Sequence, residues 1–201
     1  MTHELHVIST GTQSVQRLVS IIQQIHPYID YIHLRERSWT AAELITAIQT
    51  MLMHDVPQSK IIVNDRVDVA HVMHVNGVQL AHHSIDVATV RQTYPHLVVG
   101  RSVHDVDDAR QAESDMAHRI LYGHVFSTKS KRGIKPRGLI GLQRVVGEVS
   151  IPVIAIGGIT SHNIPSVLQT GAAGVAVLSG ILLADDPLMQ ANMYRQALDR
   201  I

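Results

Sequence analysis

The 201-residue sequence has no cysteine. That excludes disulfides, thiolate nucleophiles and cysteine metal sites, and it suits a cytosolic, cytoplasmic enzyme. No apolar run approaches the roughly 18 residues that cross a bilayer, so no membrane partner is expected. The first residues, Met1-Thr-His-Glu-Leu-His6, lack the basic and apolar regions of a secretory signal. Charge of one sign is also missing: 17 Lys and Arg balance 17 Asp and Glu. A general nucleic-acid binder is more often basic, and no helix-turn-helix pattern is present, so no nucleic-acid partner is expected. There is no linker or low-complexity segment. Residues 1–201 read as one domain, long enough to bury a substantial core.

What the chain does have is a strict alternation of short apolar runs and helical spacings. The strands are expected at Glu4–Ile8, Tyr31–Leu34, Lys60–Val63, Gly77–Leu80, Leu97–Gly100, Arg119–Tyr122, Pro152–Ile156 and Gly174–Leu178. Helices are predicted over Ser14–Ile25, Trp39–Met53, Val67–Met73, Ile85–Thr93, Asp105–Ser114, Leu139–Val146, Ser161–Thr170 and Pro187–Leu198. The strands are short, apolar and β-branched, as expected where both faces are buried. Eight such units favour an α/β fold of the closed (β/α)8 TIM-barrel type over an open doubly wound sheet.

In such barrels the chemistry lies where the strands end. The sixth strand delivers His124 to its end, and a basic loop follows with Lys129, Lys131, Arg132, Lys135 and Arg137. His124 is one of 14 histidines, but its place just beyond a central strand sets it apart. A neutral imidazole there can take a proton near neutral pH; the plainer reading is a buried histidine bonded to a backbone carbonyl. Gly157-Gly158 and Ser179-Gly180 each end a strand ahead of a helix. Glycines there let backbone N–H groups approach an anion, in the two units that usually hold phosphate in this fold. Arg35 and Arg37, two apart on a continuing strand, would face one side and clamp a carboxylate or phosphate. Lys131 would close over an anion as part of a lid, or simply be a solvated surface lysine. His71 and His74 lie three apart, but no third ligand is clear, and no metal site is expected.

Taken together, several stretches resemble the thiamin phosphate synthase superfamily over almost the whole chain. They are His33-Leu-Arg-Glu-Arg37, Asn64-Asp-Arg-Val-Asp-Val-Ala70, Gly77-Val-Gln-Leu80, Gly100-Arg-Ser-Val-His104, Tyr122-Gly-His-Val-Phe126 and Ile151-Pro-Val-Ile-Ala-Ile-Gly-Gly-Ile159. Within the superfamily, the synthase holds a magnesium diphosphate with two Asp residues. Asp65 matches the first, and Ser84 stands in place of the second. Arg37 replaces a Lys, while His124 and Ser127 replace prolines.

These departures resemble the TenI-type thiazole tautomerase branch. That resemblance implies an isomerase that aromatises a dearomatised thiazole carboxylate phosphate, needing no cofactor. His124 would remove the proton at ring carbon two and return one at the exocyclic carbon. Gly157, Gly158, Leu178 and Ser179 correspond to the phosphate loops, helped by Thr128 and Ser130. Arg35, Asn64, Ser102 and Lys131 match the side that holds diphosphate in the synthase. The expected partner is a small-molecule thiazole phosphate, and a homo-oligomer is expected. Two other classes stand beside the isomerase: a thiamin phosphate synthase, and a non-catalytic thiazole-phosphate-binding regulator.

Overall fold

The computed structural model describes residues 3–131 and 133–200. Arg132 of the expected basic loop lies outside the described residues, as does the Lys129 side chain. Eight parallel strands close into one barrel in sequence order: β1 (Glu4–Ile8), β2 (Tyr31–Leu34), β3 (Ile61–Asn64), β4 (Gly77–Leu80), β5 (Val98–Val103), β6 (Arg119–Gly123), β7 (Val153–Ile156) and β8 (Gly174–Val177). Closure is made by β1 against β8, with Leu5 opposite Val175 and Val7 opposite Val177. It leaves no unpaired sheet edge.

Helices cover the outside: α1 (Val15–Ile25), α2 (Ala41–Met53), α3 (Val67–Val72), α4 (Val87–Thr93), α5 (Val106–Ser114), α6 (Gly138–Glu148), α7 (Ile164–Leu168), α8 (Ser179–Leu182) and α9 (Pro187–Asp199). Their starts follow the local chemistry. Ser14 accepts from the Arg17 N–H at the head of α1. Thr40 and Glu43 form a reciprocal capping box on α2. Asp86, Asp105 and Asp186 cap α4, α5 and α9. Apolar residues at helical spacing, such as Leu18, Ile22 and Ile25 of α1, pack fully buried against the outward faces of the strands.

β2 ends at Leu34 as expected, but the strand does not continue: Arg35 follows it and Arg37 lies in a turn, so the two are not held on one strand face. Several other boundaries differ from the sequence reading. β5 runs on to Val103, because Ser102 and Val103 still pair with Leu121 and Tyr122; Ser102 is therefore a strand residue. α7 starts late, at Ile164. Thr160 and Asn163 first bond to each other, and the Asn163 amide also donates to the Gly158 carbonyl, which closes a turn ahead of the helix. An unexpected short helix, α8, follows β8 directly. Of the four methionines whose packing the sequence left open, Met51 is buried, while Met53, Met189 and Met193 are exposed.

The barrel interior is layered. Following the register across two strands and stepping two residues along keeps a constant height in a barrel of this shear. From His33 this leads to Gln79, Leu121, Ala176 and back to His33. The same walk gives Ile8, Asn64, Ser102 and Ile156 one step nearer the mouth. Continued by strand alternation, it puts Arg35, Ala81, Gly123 and Leu178 at the mouth itself. His6, Ile62, Gly100 and Ile154 lie one step below His33. Ile8, Leu121, Ile154 and Ala176 form an apolar cluster. His6, His33, Asn64, Gln79 and Ser102, beside Ile62 and Gly100, leave a polar seam running from the mouth toward the barrel floor.

Candidate active site

The β6–β7–β8 edge of the mouth is built on glycine. Gly157 has φ +99°, and a Cβ on it would stand 2.3 Å from the His124 Cβ. Only glycine meets both the backbone conformation and the close approach. Hydrogen bonds Val125 N–H to Ile156 carbonyl and Phe126 N–H to Gly157 carbonyl zip the two strand ends together. Gly158, at φ +66°, continues the turn. Leu178 is half-buried at the mouth, and Ser179 and Gly180 lie exposed beside it at the head of α8.

The opposite edge is cationic. Arg35 is half-buried where β2 ends, and Arg37 is exposed. Desolvation, and then the neighbouring Arg37 charge, push the Arg35 guanidinium below its ordinary range. Desolvation also pushes Lys131 down, helped by Arg137 and Arg35. Lys131, Arg35 and Arg137 thus share one field, although they come from β2 and from the loop after β6. Thr128 and Ser130 belong to that loop: the Thr128 carbonyl accepts from the Lys131 N–H, and its hydroxyl from the Ser130 N–H. Asn64 and Ser102 share the layer just beneath the rim, and the Ser102 hydroxyl accepts from Gln79 Nε2 at 3.1 Å.

Beyond β3, Asp65 holds a left-handed backbone, φ +67°, with its N–H bonded to the Gln79 carbonyl. Its carboxylate is partly exposed, and its one ion-pair contact among the described residues is His83 at 4.0 Å. The Ser84 hydroxyl accepts from the Ala81 N–H and so closes the turn after β4. Among the described residues no group of three or more His, Cys, Asp or Glu is arranged for a metal. The Asp65 carboxylate, with the Ser84 hydroxyl in the turn after the next strand, is the donor set that would hold magnesium, which is commonly bound by one carboxylate together with a ligand's phosphate oxygens and water.

His124 is 4% exposed and follows a cis peptide bond from Gly123. Its Nε2 lies 3.2 Å from the Ile134 carbonyl of the basic loop, which it can meet as a donor. Two more backbone bonds fasten the same loop, from Arg137 N–H to the His124 carbonyl and from Gly138 N–H to the Val125 carbonyl. The His104 ring lies 2.8 Å from the Gly123 carbonyl. The plainer of the two readings of His124, a buried histidine on a backbone carbonyl, describes this geometry.

Sequence reasoning missed Glu36, which lies between the two arginines and is 6% exposed. One of its oxygens accepts from the Gly11 N–H, and the other has no partner among the described residues. Also missed were His6, His33 and Gln79, whose inward direction is visible only once strand register is known.

The fold and the mouth define a class: a single (β/α)8 barrel with a cationic rim facing two glycine-bearing turns. Comparison with known proteins narrows it. A family model described as thiamine monophosphate synthase matches residues 5–181. The chain is 41% identical over 138 residues to a thiamine-phosphate synthase of Caldivirga maquilingensis, covering 69% of this chain and 67% of the relative. It is 37% identical over 139 residues to one of Pyrococcus furiosus, with the same coverage. Among solved structures, a thiamine phosphate pyrophosphorylase from Pyrococcus furiosus superimposes with a TM-score of 0.84 at 30% identity, over 98% of this chain and 96% of that one. A 3-hexulose-6-phosphate synthase, at 18% identity and TM-score 0.76, shares the fold.

The chain belongs to the thiamine monophosphate synthase family. This corrects the expected thiazole tautomerase and with it the isomerase class, since these relatives carry the synthase name. Two departures, Ser84 and His124, do not outweigh a likeness to the synthases that covers most of the chain.

Proposed function

We propose that this chain is a transferase of the thiamine-phosphate synthase kind. It joins a thiazole phosphate to a pyrimidinylmethyl diphosphate and releases diphosphate. The ring nitrogen of the thiazole supplies the electron pair for the new carbon–nitrogen bond. The carbon–oxygen bond to diphosphate breaks with its pair leaving on oxygen. No oxidant or reductant is involved.

The observation that carries the reading is the pair of anion-suited edges on one mouth. Two phosphorylated substrates need two separate places for phosphate. Gly157, Gly158, Leu178 and Ser179 suit the phosphate of the thiazole. Arg35, Arg37, Asn64, Ser102 and Lys131 suit the diphosphate, while Thr128 and Ser130 of the loop after β6 go with the thiazole phosphate. The mutual repulsion of Lys131, Arg35 and Arg137 is relieved when an anion enters. Cations placed before reaction stabilise the charge that grows on a departing diphosphate. Asp65, with the Ser84 hydroxyl, would hold magnesium, and the ion would supply further neutralisation of that charge. In this reading His124 fastens the basic loop through Ile134 rather than moving a proton.

The test is direct. Purified protein is given both substrates with magnesium, and thiamine phosphate and diphosphate are measured. Equal amounts of the two products are expected. Absence of both, from protein that binds each substrate, would overturn the reading. His124→Ala is expected to raise KM for the diphosphate substrate more than it lowers kcat.

A further inference from the structure

The two histidines three apart in the sequence, His71 and His74, are not the pair that the fold brings together. Their rings stand edge-on, 6.2 Å apart. Instead, His71 Nδ1 lies 3.1 Å from Nε2 of His96, 25 residues further along the chain. The two ring centroids are 5.1 Å apart, with the planes tilted by 50°. His71 stands near the C-terminal end of α3, and His96 in the connection from α4 to β5. Both therefore sit at the end of the barrel where strands begin, opposite the mouth. His71 is half-buried and His96 exposed.

Both rings are held in place by their own surroundings. The Tyr94 ring packs 4.9 Å from that of His71. The segment carrying His71 is fastened by Met73 N–H to the Val69 carbonyl, and by the Gln58 amide to the Met73 carbonyl at 2.7 Å. The turn carrying His96 is closed by Leu97 N–H to the Tyr94 carbonyl, and by Arg91 to the Pro95 carbonyl at 3.3 Å. Two imidazole nitrogens bound to one ion at about 2.0–2.1 Å stand about 2.9 Å apart at a right angle and about 3.4 Å apart at the tetrahedral angle. The observed separation lies between these. Without an ion the pair shares one proton. A cation replaces it once that proton moves to the far nitrogen of its own ring, so both imidazoles stay neutral and none is released.

We propose that His71 and His96 form a two-histidine site for a divalent transition ion of the zinc, nickel or copper kind. Imidazole suits these ions, whereas magnesium and calcium prefer oxygen. Among the described residues no third His, Cys, Asp or Glu joins the pair, so the other positions on the ion are open to solvent. The ion ties α3 to the connection between α4 and β5, and binding to the folded chain alone stabilises that end of the barrel. The site is remote from the mouth and does not rest on the transferase reading.

The test uses zinc alone, titrated at neutral pH into wild type, His71→Ala, His96→Ala and the double variant. One zinc per chain is expected at the strongest step in wild type. Two donors held together act as a chelate, so either single variant should bind that zinc about a hundredfold more weakly, and the double variant no more weakly than either. One equivalent of copper(II) should show two nitrogen donors by electron paramagnetic resonance in wild type and fewer in His96→Ala. Zinc should raise the Tm of wild type and leave that of His96→Ala unmoved. Small losses that add in the double variant would mean separate surface histidines and overturn the site. So would a His96→Ala variant that binds zinc as wild type does. His96 is exposed, so His96→Ala decides even if His71→Ala does not fold. Thiamine phosphate formation without zinc should be the same in wild type and His96→Ala; its absence from both would sink the transferase reading alone.

Discussion

Stability should fall between pH 7.5 and pH 5.5 because two neutral histidines are sealed in the barrel. In an unfolded chain each imidazole titrates near 6.5. In the folded chain burial lowers both values, for His33 by a large amount. Glu4 raises that of His6 only in part, and Arg119 lowers both. Below pH 6.5 the unfolded chain therefore binds protons that the folded chain does not. Linkage then makes stability fall as pH falls; it is full above about 6.5 and levels off only beneath the folded-state values. At pH 5.5 each imidazole that stays neutral in the fold costs about 1.4 kcal/mol relative to pH 7.5. One such group gives about 1.4 kcal/mol and both give about 2.7 kcal/mol, which for a chain of this length corresponds to a Tm drop of about 3–11 °C. Urea denaturation at pH 7.5, 6.5 and 5.5, on wild type and His33→Gln, reads the effect. His26 and His118 are also lowered, by burial first, but they contribute equally to both proteins and drop out of the difference. A wild type equally stable at pH 7.5 and 5.5 would refute the reasoning. So would a His33→Gln variant with the same pH slope as wild type.

Three further outcomes are expected. Gly157→Ala forces a left-handed alanine against the His124 Cβ and should destabilise the fold by about 2–5 kcal/mol, read by calorimetry. Lys131→Gln should weaken inorganic diphosphate binding about 5- to 10-fold at low salt and less at high salt, read by titration calorimetry at two ionic strengths. Tyr194→Phe removes the buried bond from the Tyr194 hydroxyl to the Ile159 carbonyl behind the glycine turn and should cost about 1–2 kcal/mol in urea.

Much of the architecture was legible in the chain because burial on both faces forces continuous apolar strands. Runs such as Ile61–Val63 and Val153–Ile156 announce themselves for that reason. Thr40 was readable as a cap for α2, since a side-chain oxygen satisfies backbone donors locally, whereas α4 begins at Val87, behind the Asp86 cap, rather than at Ile85. The glycines at 157 and 158 were likewise readable. Where β5 ends was not, because that depends on the neighbouring strand: pairing to β6 carries β5 through Ser102 to Val103, and no residue of β5 itself signals it.

The sequence by itself determined the alternation, the strand count, the cations and glycines at the strand ends, and membership of a superfamily built on that pattern. Only the tertiary structure decided which of those groups meet. Barrel closure between β1 and β8, residues far apart in the chain, fixes a register, and the register alone puts His6, His33 and Gln79 in adjoining layers. It also seats the His124 ring on the Ile134 carbonyl. A side chain's chemistry is local, but its protonation and direction are set by neighbours that only long-range packing supplies.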